Sequence, residues 1–126
     1  MKGVYVKKAN MVSDDERRTI IEIMNGDMNI KNLKILNVKK GELILGNHWH
    51  PYGEVMYILK GGGHYIMKNI DTKEQEEFDV QEGDVVYRGP RITRAGYFTE
   101  GSILIDGACE TYVSPDFNDI KDVIME

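Results

Sequence analysis

Glycine divides this chain into short pieces. Thirteen of its 126 residues are Gly and only three are Pro. Between the glycines lie short stretches rich in Val, Ile, Tyr and Leu, the rhythm of an all-β sandwich or barrel. Strands are expected at Val4–Lys7, Leu33–Lys39, Leu43–Leu45, Val55–Leu59, His64–Lys68, Glu76–Val80, Asp84–Tyr87, Gly96–Phe98, Ser102–Ile105 and Thr111–Val113. Turn signals separate them at Asn25-Gly26-Asp27, Lys40-Gly41, Gly61-Gly62-Gly63, Asp71-Thr72, Glu82-Gly83, Glu100-Gly101 and Asp106-Gly107. No linker, repeat or low-complexity run divides residues 1–126, and that length suits a single core.

Two segments carry helical signals. Ser13-Asp14-Asp15-Glu16 has the form of a capping box followed by Ile20, Ile21 and Met24 at helical spacing; Arg18–Ile23 reads equally well as a strand. Ser114-Pro115-Asp116, followed by Ile120, Val123 and Ile124, predicts a short C-terminal helix with Pro in its first turn.

Composition narrows the partners. A net charge of −5 offers no basic surface for nucleic acid or an anionic membrane. No run approaches the roughly 20 apolar residues of a membrane span. The first residues, MKGVYVKKANMVSDDERR, lack the apolar core of a cleaved signal, and the one cysteine, Cys109, cannot build an intramolecular disulfide. The expectation is a cytoplasmic domain.

All three histidines lie between His48 and His64. On a strand, His48 and His50 project to one face and Trp49 to the other. The Pro51-Tyr52-Gly53 turn can return Glu54 beside them. Two imidazoles and a carboxylate can act as a facial metal-ligand set or as a base with its orienting partners. A His-x-His alone is as readily a solvated strand edge; the accompanying Glu54 and Gly-rich turn favour a site. Met56 and Ile58 share the face of Glu54 and are expected to be apolar pocket wall or core. Tyr57, Tyr65 and Tyr87 read as strand packing, and Trp49 as packing between sheets or between subunits.

The segment HWHPYGEVMYILKG resembles the first cupin motif, H-x-H-x3-E-x6-G, matching at His48, His50, Glu54 and Gly61. The stretch EGDVVYRGPRITRAGYF is similar to the second motif at Gly83, but its Pro, Gly, His and Asn positions hold Gly89, Arg91, Arg94 and Phe98. The resemblance implies a cupin double-stranded β-helix, a jelly-roll barrel with the site in its mouth, and a homodimer. Gly46-Asn47-His48-Trp49-His50 is similar to the G-N-H-x-H of cupins in deoxysugar and surface-polysaccharide biosynthesis. These include nucleotide-linked 4-keto-sugar 3,4-ketoisomerases. Leu45 stands where those ketoisomerases carry Arg, and Arg18 stands where sugar-nucleotide epimerases carry Gly.

In metal-binding cupins the fourth ligand is the histidine of motif two, here Arg94, which has no lone pair to offer. A guanidinium there would repel a dication and pair with Glu54. The resemblance therefore favours no cofactor, while His48, His50 and Glu54 stay as the ligand set for a single divalent metal. The leading expectation is an isomerase or epimerase of a keto-sugar, with His48 or His50 as base, Glu54 orienting and Arg94 stabilising the enediolate. Arg88, Arg91 and His64 are candidate substrate contacts. The alternatives are a metal-dependent dioxygenase or sugar-phosphate isomerase, and a sugar-binding module without turnover.

Overall fold

A computed structural model describes residues 1–126, the side chains of Pro115 and Asp116 excepted. The strands in chain order are β1 (Val4–Lys8), β2 (Asn10–Asp14), β3 (Thr19–Glu22), β4 (Asn32–Asn37), β5 (Leu45–Trp49) and β6 (Glu54–Lys60). They continue with β7 (Gly62–Asn69), β8 (Gln75–Gln81), β9 (Asp84–Arg88), β10 (Ile92–Phe98), β11 (Ile103–Ala108) and β12 (Ile120–Lys121). Two five-stranded sheets form, ordered β1-β9-β6-β11-β4 and β12-β5-β10-β7-β8, with β2-β3 as a separate two-stranded hairpin. Every pairing is antiparallel. Among the described residues no helix is long and apolar enough to cross a membrane.

The two sheets close on a core of Met56, Ile58, Tyr65, Met67, Val80, Val86, Ile92, Phe98 and Leu104. Period-2 alternation carries the same inward faces from oil to charge. On β6 the face of Met56 and Ile58 also holds Glu54; on β9 that of Val86 holds Arg88; on β10 that of Phe98 holds Arg94; on β11 that of Leu104 holds Asp106. One end of the barrel is thus filled with hydrocarbon and the other with ionisable groups.

Several expected boundaries shift. The ambiguous Ser13–Met24 stretch is a hairpin, β2 pairing with β3 in register Asp14↔Thr19. Asp106-Gly107 is not a turn: β11 runs through both to Ala108, paired on each side by β4 and β6. No strand forms at Thr111–Val113. The expected C-terminal helix is not built either. A single turn, α1 (Pro115–Asn118), is followed by β12, which pairs Ile120 with Trp49 and Lys121 with His48. Pairing with the open edge of β5 satisfies backbone groups that a lone terminal helix would leave to solvent.

The Gly46-Asn47 pair has a specific geometric task. Gly46 has φ +101, and a Cβ there would collide with the carbonyl oxygen of Arg94. Asn47 follows at φ 58. The pairing of β10 with β5 slips at this point, between Arg94 and Ala95, and the slip sets Arg94 opposite His48. The Asn47 amide then accepts from the backbone N–H groups of Ile124 (2.9 Å) and Met125 (3.1 Å) and donates to Met125 O (2.9 Å). Gly46→Ala is expected to destabilise the fold by at least about 1 kcal/mol, because left-handed φ alone costs a non-Gly residue about that much. A lower urea midpoint at unchanged m-value would measure it.

Candidate active site

Glu54 opens β6 with only 4% of its surface exposed. A carboxylate that deep needs charged partners, and it has two. Arg88 Nε donates to Glu54 Oε1 at 3.0 Å, and Arg94 Nη1 lies 3.3 Å from the same oxygen. Burial by itself would raise the Glu54 carboxyl, but the two guanidiniums outweigh it and hold the group well below the usual carboxylate range. Arg88 is 1% exposed. Its Nη1 donates to His48 O at 2.9 Å and to Ile92 O at 3.0 Å, so one guanidinium ties β5, β6 and β10 to β9.

His48 sits above this pair. Its Nε2 is 3.5 Å from Arg88 Nη2 and 3.8 Å from Asp119 Oδ1. Desolvation first, then the charges of Arg88 and Arg94, push its pKa down to about 4. His48 is therefore a neutral imidazole at physiological pH, and the adjacent guanidinium donor leaves Nε2 as its lone-pair nitrogen.

His50 is fixed on three sides. Its Nδ1 donates to the main-chain carbonyl of Asn118 at 2.7 Å, its Nε2 lies 3.5 Å from Glu54 Oε2, and its ring stacks on Tyr52 at 4.7 Å and 16°. Asn118 is itself buried. It donates from Nδ2 to the Tyr52 hydroxyl at 3.0 Å, and its Oδ1 accepts from Val113 N at 2.7 Å. The single turn α1 thus delivers the group that orients His50, and with it Asp119.

His48, His50, Tyr52, Glu54, Arg94 and Asp119 line a cavity of about 210 Å3 together with Lys34, Asp106, Glu110 and Tyr112. The volume lies below the roughly 300–1,000 Å3 of sites that enclose a drug-sized ligand. It has room for about one six-membered ring. Two guanidiniums against Glu54 leave one net positive charge at its floor, where an oxyanion would be held.

The structure thus brings His48, His50, Glu54 and Arg94 together. Arg88, expected at the mouth as a substrate contact, is instead inside and spent on Glu54 and two carbonyls. Arg91 is a correction: it forms a two-pronged ion pair with Asp71 (Nη2 to Oδ1 2.7 Å) and lies over the Trp49 ring at 5.1 Å, away from the cavity. His64 is another. It faces the outer side of its sheet, paired with Asp79 at 2.8 Å and Glu77 at 3.2 Å. There it lines a separate surface groove of about 540 Å3 with Ile44, Ile66 and Tyr97. The alternation on β7 decides this, since Tyr65 and Met67 take the inward face.

The ligand set His48, His50 and Glu54 does not fit a divalent metal. A dication at Glu54 would lie beside two guanidiniums already bonded to that carboxylate. Asp119 converges with His48 and His50 to bring one ligand atom of each within 4.8 Å. There too the Arg88 guanidinium is 3.5 Å from the His48 nitrogen.

Asp106, Asp119, Tyr52 and Asn118 were not singled out from sequence. Asp106 was hidden by the turn-like Asp-Gly, although alternation from Leu104 would have turned it inward. Asn118 ends the one-turn α1 and Asp119 follows it, in a stretch too short to carry a periodic signal.

No protein-family model matches the sequence, and no curated protein matches it. Solved structures do. The TDP-quinovose 3,4-ketoisomerase WlaRB of Campylobacter jejuni superposes with a TM-score of 0.83 at 19% identity, over 97% of this chain and 95% of that one. The 3,4-ketoisomerase QdtA of Thermoanaerobacterium thermosaccharolyticum gives 0.79 at 21% identity, over 97% and 89%. It was solved as a histidine-to-asparagine variant in complex with TDP-4-keto-6-deoxyglucose. The 3'-monoepimerase ChmJ of Streptomyces bikiniensis, in complex with dTDP-quinovose, gives 0.75 at 16% identity, over 88% and 66%.

Removing Arg88 would leave two buried carbonyls without a donor and Glu54 with Arg94 as its one guanidinium partner. Arg88→Met should therefore cost about 3–5 kcal/mol, read as a fall in denaturation midpoint. Arg88→Lys should recover only part of it, because a point charge cannot serve three acceptors in a plane. The chain has the cupin fold, in the form shared with TDP-sugar 3,4-ketoisomerases and 3'-monoepimerases.

Proposed function

We propose that this chain is an isomerase or epimerase of a nucleotide-linked keto-sugar, moving a proton at the carbon next to the carbonyl. The observation that carries the reading is the neutral His48 imidazole held against the Arg88–Glu54–Arg94 cluster in the barrel mouth. His48 Nε2 is the base. Arg94 receives the carbonyl oxygen as it becomes an enediolate oxygen. His50, fixed by Asn118 and Tyr52, walls the ring.

Electrostatics couples the two halves of this step. In the free protein the guanidiniums oppose a proton on His48. Negative charge appearing on the enediolate cancels that field, so the imidazole becomes more basic as the carbon becomes an acid. The nucleotide-linked substrate class is supported by the ligands of the structural neighbours and by a cavity that encloses one sugar ring.

Incubation with TDP-4-keto-6-deoxyglucose in D2O should place deuterium on the sugar ring; no exchange with any TDP-4-keto-sugar would overturn the reading. His48→Asn should lower the exchange rate about 10²–10⁴-fold with an unchanged melting curve. The acid limb of kcat/KM should fall only as pH drops through about 4, since the base works unprotonated. A limb near the ordinary imidazole value would remove His48 from that role.

We further propose a cytoplasmic homodimer. A two-stranded hairpin is marginal in water, and β2-β3 leaves Met11, Val12, Ile20 and Ile21 exposed, apolar surface that a second copy would cover. Sedimentation at twice the chain mass, together with recovery in the cytosolic fraction of its host, would bear this out. A monomer at micromolar concentration would refute the dimer.

A further inference from the structure

We propose that Asp106 and Glu54 share one proton at the cavity floor, and that Asp106 relays protons between two oxygens of the bound sugar. This role rests on the isomerase reading above.

β11 carries Asp106 inward on the face of Leu104, and the residue lines the same cavity as His48 and Arg94. Its Oδ1 is sealed from solvent and has no hydrogen-bond partner in the protein. The β6–β11 pairing sets Met56 opposite Asp106 and Ala108 opposite Glu54, so Glu54 is the diagonal same-face neighbour of Asp106, with its own oxygens turned to Arg88, Arg94 and His50. Two carboxyls side by side on one inward face, one with an oxygen sealed from water and unpaired, repel unless a proton is held between them. The buried geometry therefore calls for a carboxylic acid beside a carboxylate. Glu54, gripped by two guanidiniums, is the carboxylate, and Asp106 is the acid.

The surrounding charges agree. Burial and then the charge of Glu54 push the Asp106 carboxyl up to about 7, against the opposing pull of Arg94 and Arg88. On β4, Lys34 is the register partner of Asp106, but its ammonium lies 4.0 Å over the Tyr112 ring. On β7, burial pushes the Tyr65 hydroxyl up to about 12, so it gives no proton near neutrality.

The reaction needs such a group. Moving a ketone to the neighbouring carbon breaks one C–H bond and forms another, and it also breaks one O–H bond and forms another. His48 takes the carbon proton as the C–H pair becomes the C=C bond and the carbonyl electrons move to oxygen. Asp106 gives its proton to that oxygen. The neighbouring hydroxyl then returns a proton to the Asp106 carboxylate as its own C=O forms, and His48 protonates the former carbonyl carbon. Both residues end as they began, and no other reactant is consumed. Arginine cannot do this, because it does not release its protons.

Asp106→Asn keeps the shape and still donates to Glu54. With TDP-4-keto-6-deoxyglucose in D2O, the variant should exchange ring deuterium within about tenfold of the parent while ketone transposition falls at least about 100-fold. The parent's kcat/KM should decline above about pH 7, as the acid loses its proton, and the variant should lack that limb. Equal loss of exchange and transposition, or near-parent transposition, overturns the relay. So does a parent that exchanges without transposing. A parent that does neither overturns the isomerase reading, and the relay falls with it. The shared proton is read independently of activity in the parent protein, by titrating carboxyl-13C aspartate: a midpoint near 7 for Asp106 supports the pair, and one near the ordinary carboxylate value overturns it. That titration also decides the matter if the variant does not fold.

Discussion

Everything in the mouth of this barrel depends on one buried negative charge. Glu54 can remain ionised inside only because Arg88 and Arg94 reach it from neighbouring strands. Burial and then those guanidiniums hold His48 neutral, and they place positive charge at the floor of the cavity. Such clusters seldom add net stability over hydrocarbon of the same volume. Their contribution is placement: Arg88 fastens three strand segments at one point. The histidines are positioned by the same bonds that keep the charge tolerable.

The barrel divides its labour along its axis. At one end Ile58, Val86, Phe98 and Leu104 supply hydrophobic free energy; at the other the same strands carry Glu54, Arg88, Arg94 and Asp106. Because alternation is rigid, neither set can drift to the other face without every side chain on that strand changing sides. Rigid strands hold a reactive constellation more closely than loops can. Here His48, Glu54, Arg94 and Asp106 come from strands, while His50, Tyr52, Asn118 and Asp119 come from the segments between and after them.

The sequence was legible where a local rule sufficed. Glycine spacing and β-rich stretches give the all-β barrel, and His48, His50 and Glu54 follow from period 2 plus one turn. Arg94 was legible as a missing histidine. What local rules could not show is which inward positions meet across the sheets. Arg88 lies one residue beyond the expected end of β9, and the buried carboxylate it serves is 34 positions away. Asp106 looked like half of a turn because Asp-Gly is a turn signal, yet strands on both sides hold it extended. His64 shares residue type and neighbourhood with the other two histidines, and only the register of β7 turns it outward.

The tail supplies the last wall of the site. His50 takes its orientation from Asn118, His48 has Asp119 near its outer nitrogen, and Asn47 is bonded to Ile124 and Met125. Residues up to Ala108 contain every strand of the main sheets except the two-residue β12. They leave out Asp119 on the cavity wall and the group that orients His50. Barrel and site are thus separable along the chain: the first is complete at β11, the second only where the tail crosses the mouth.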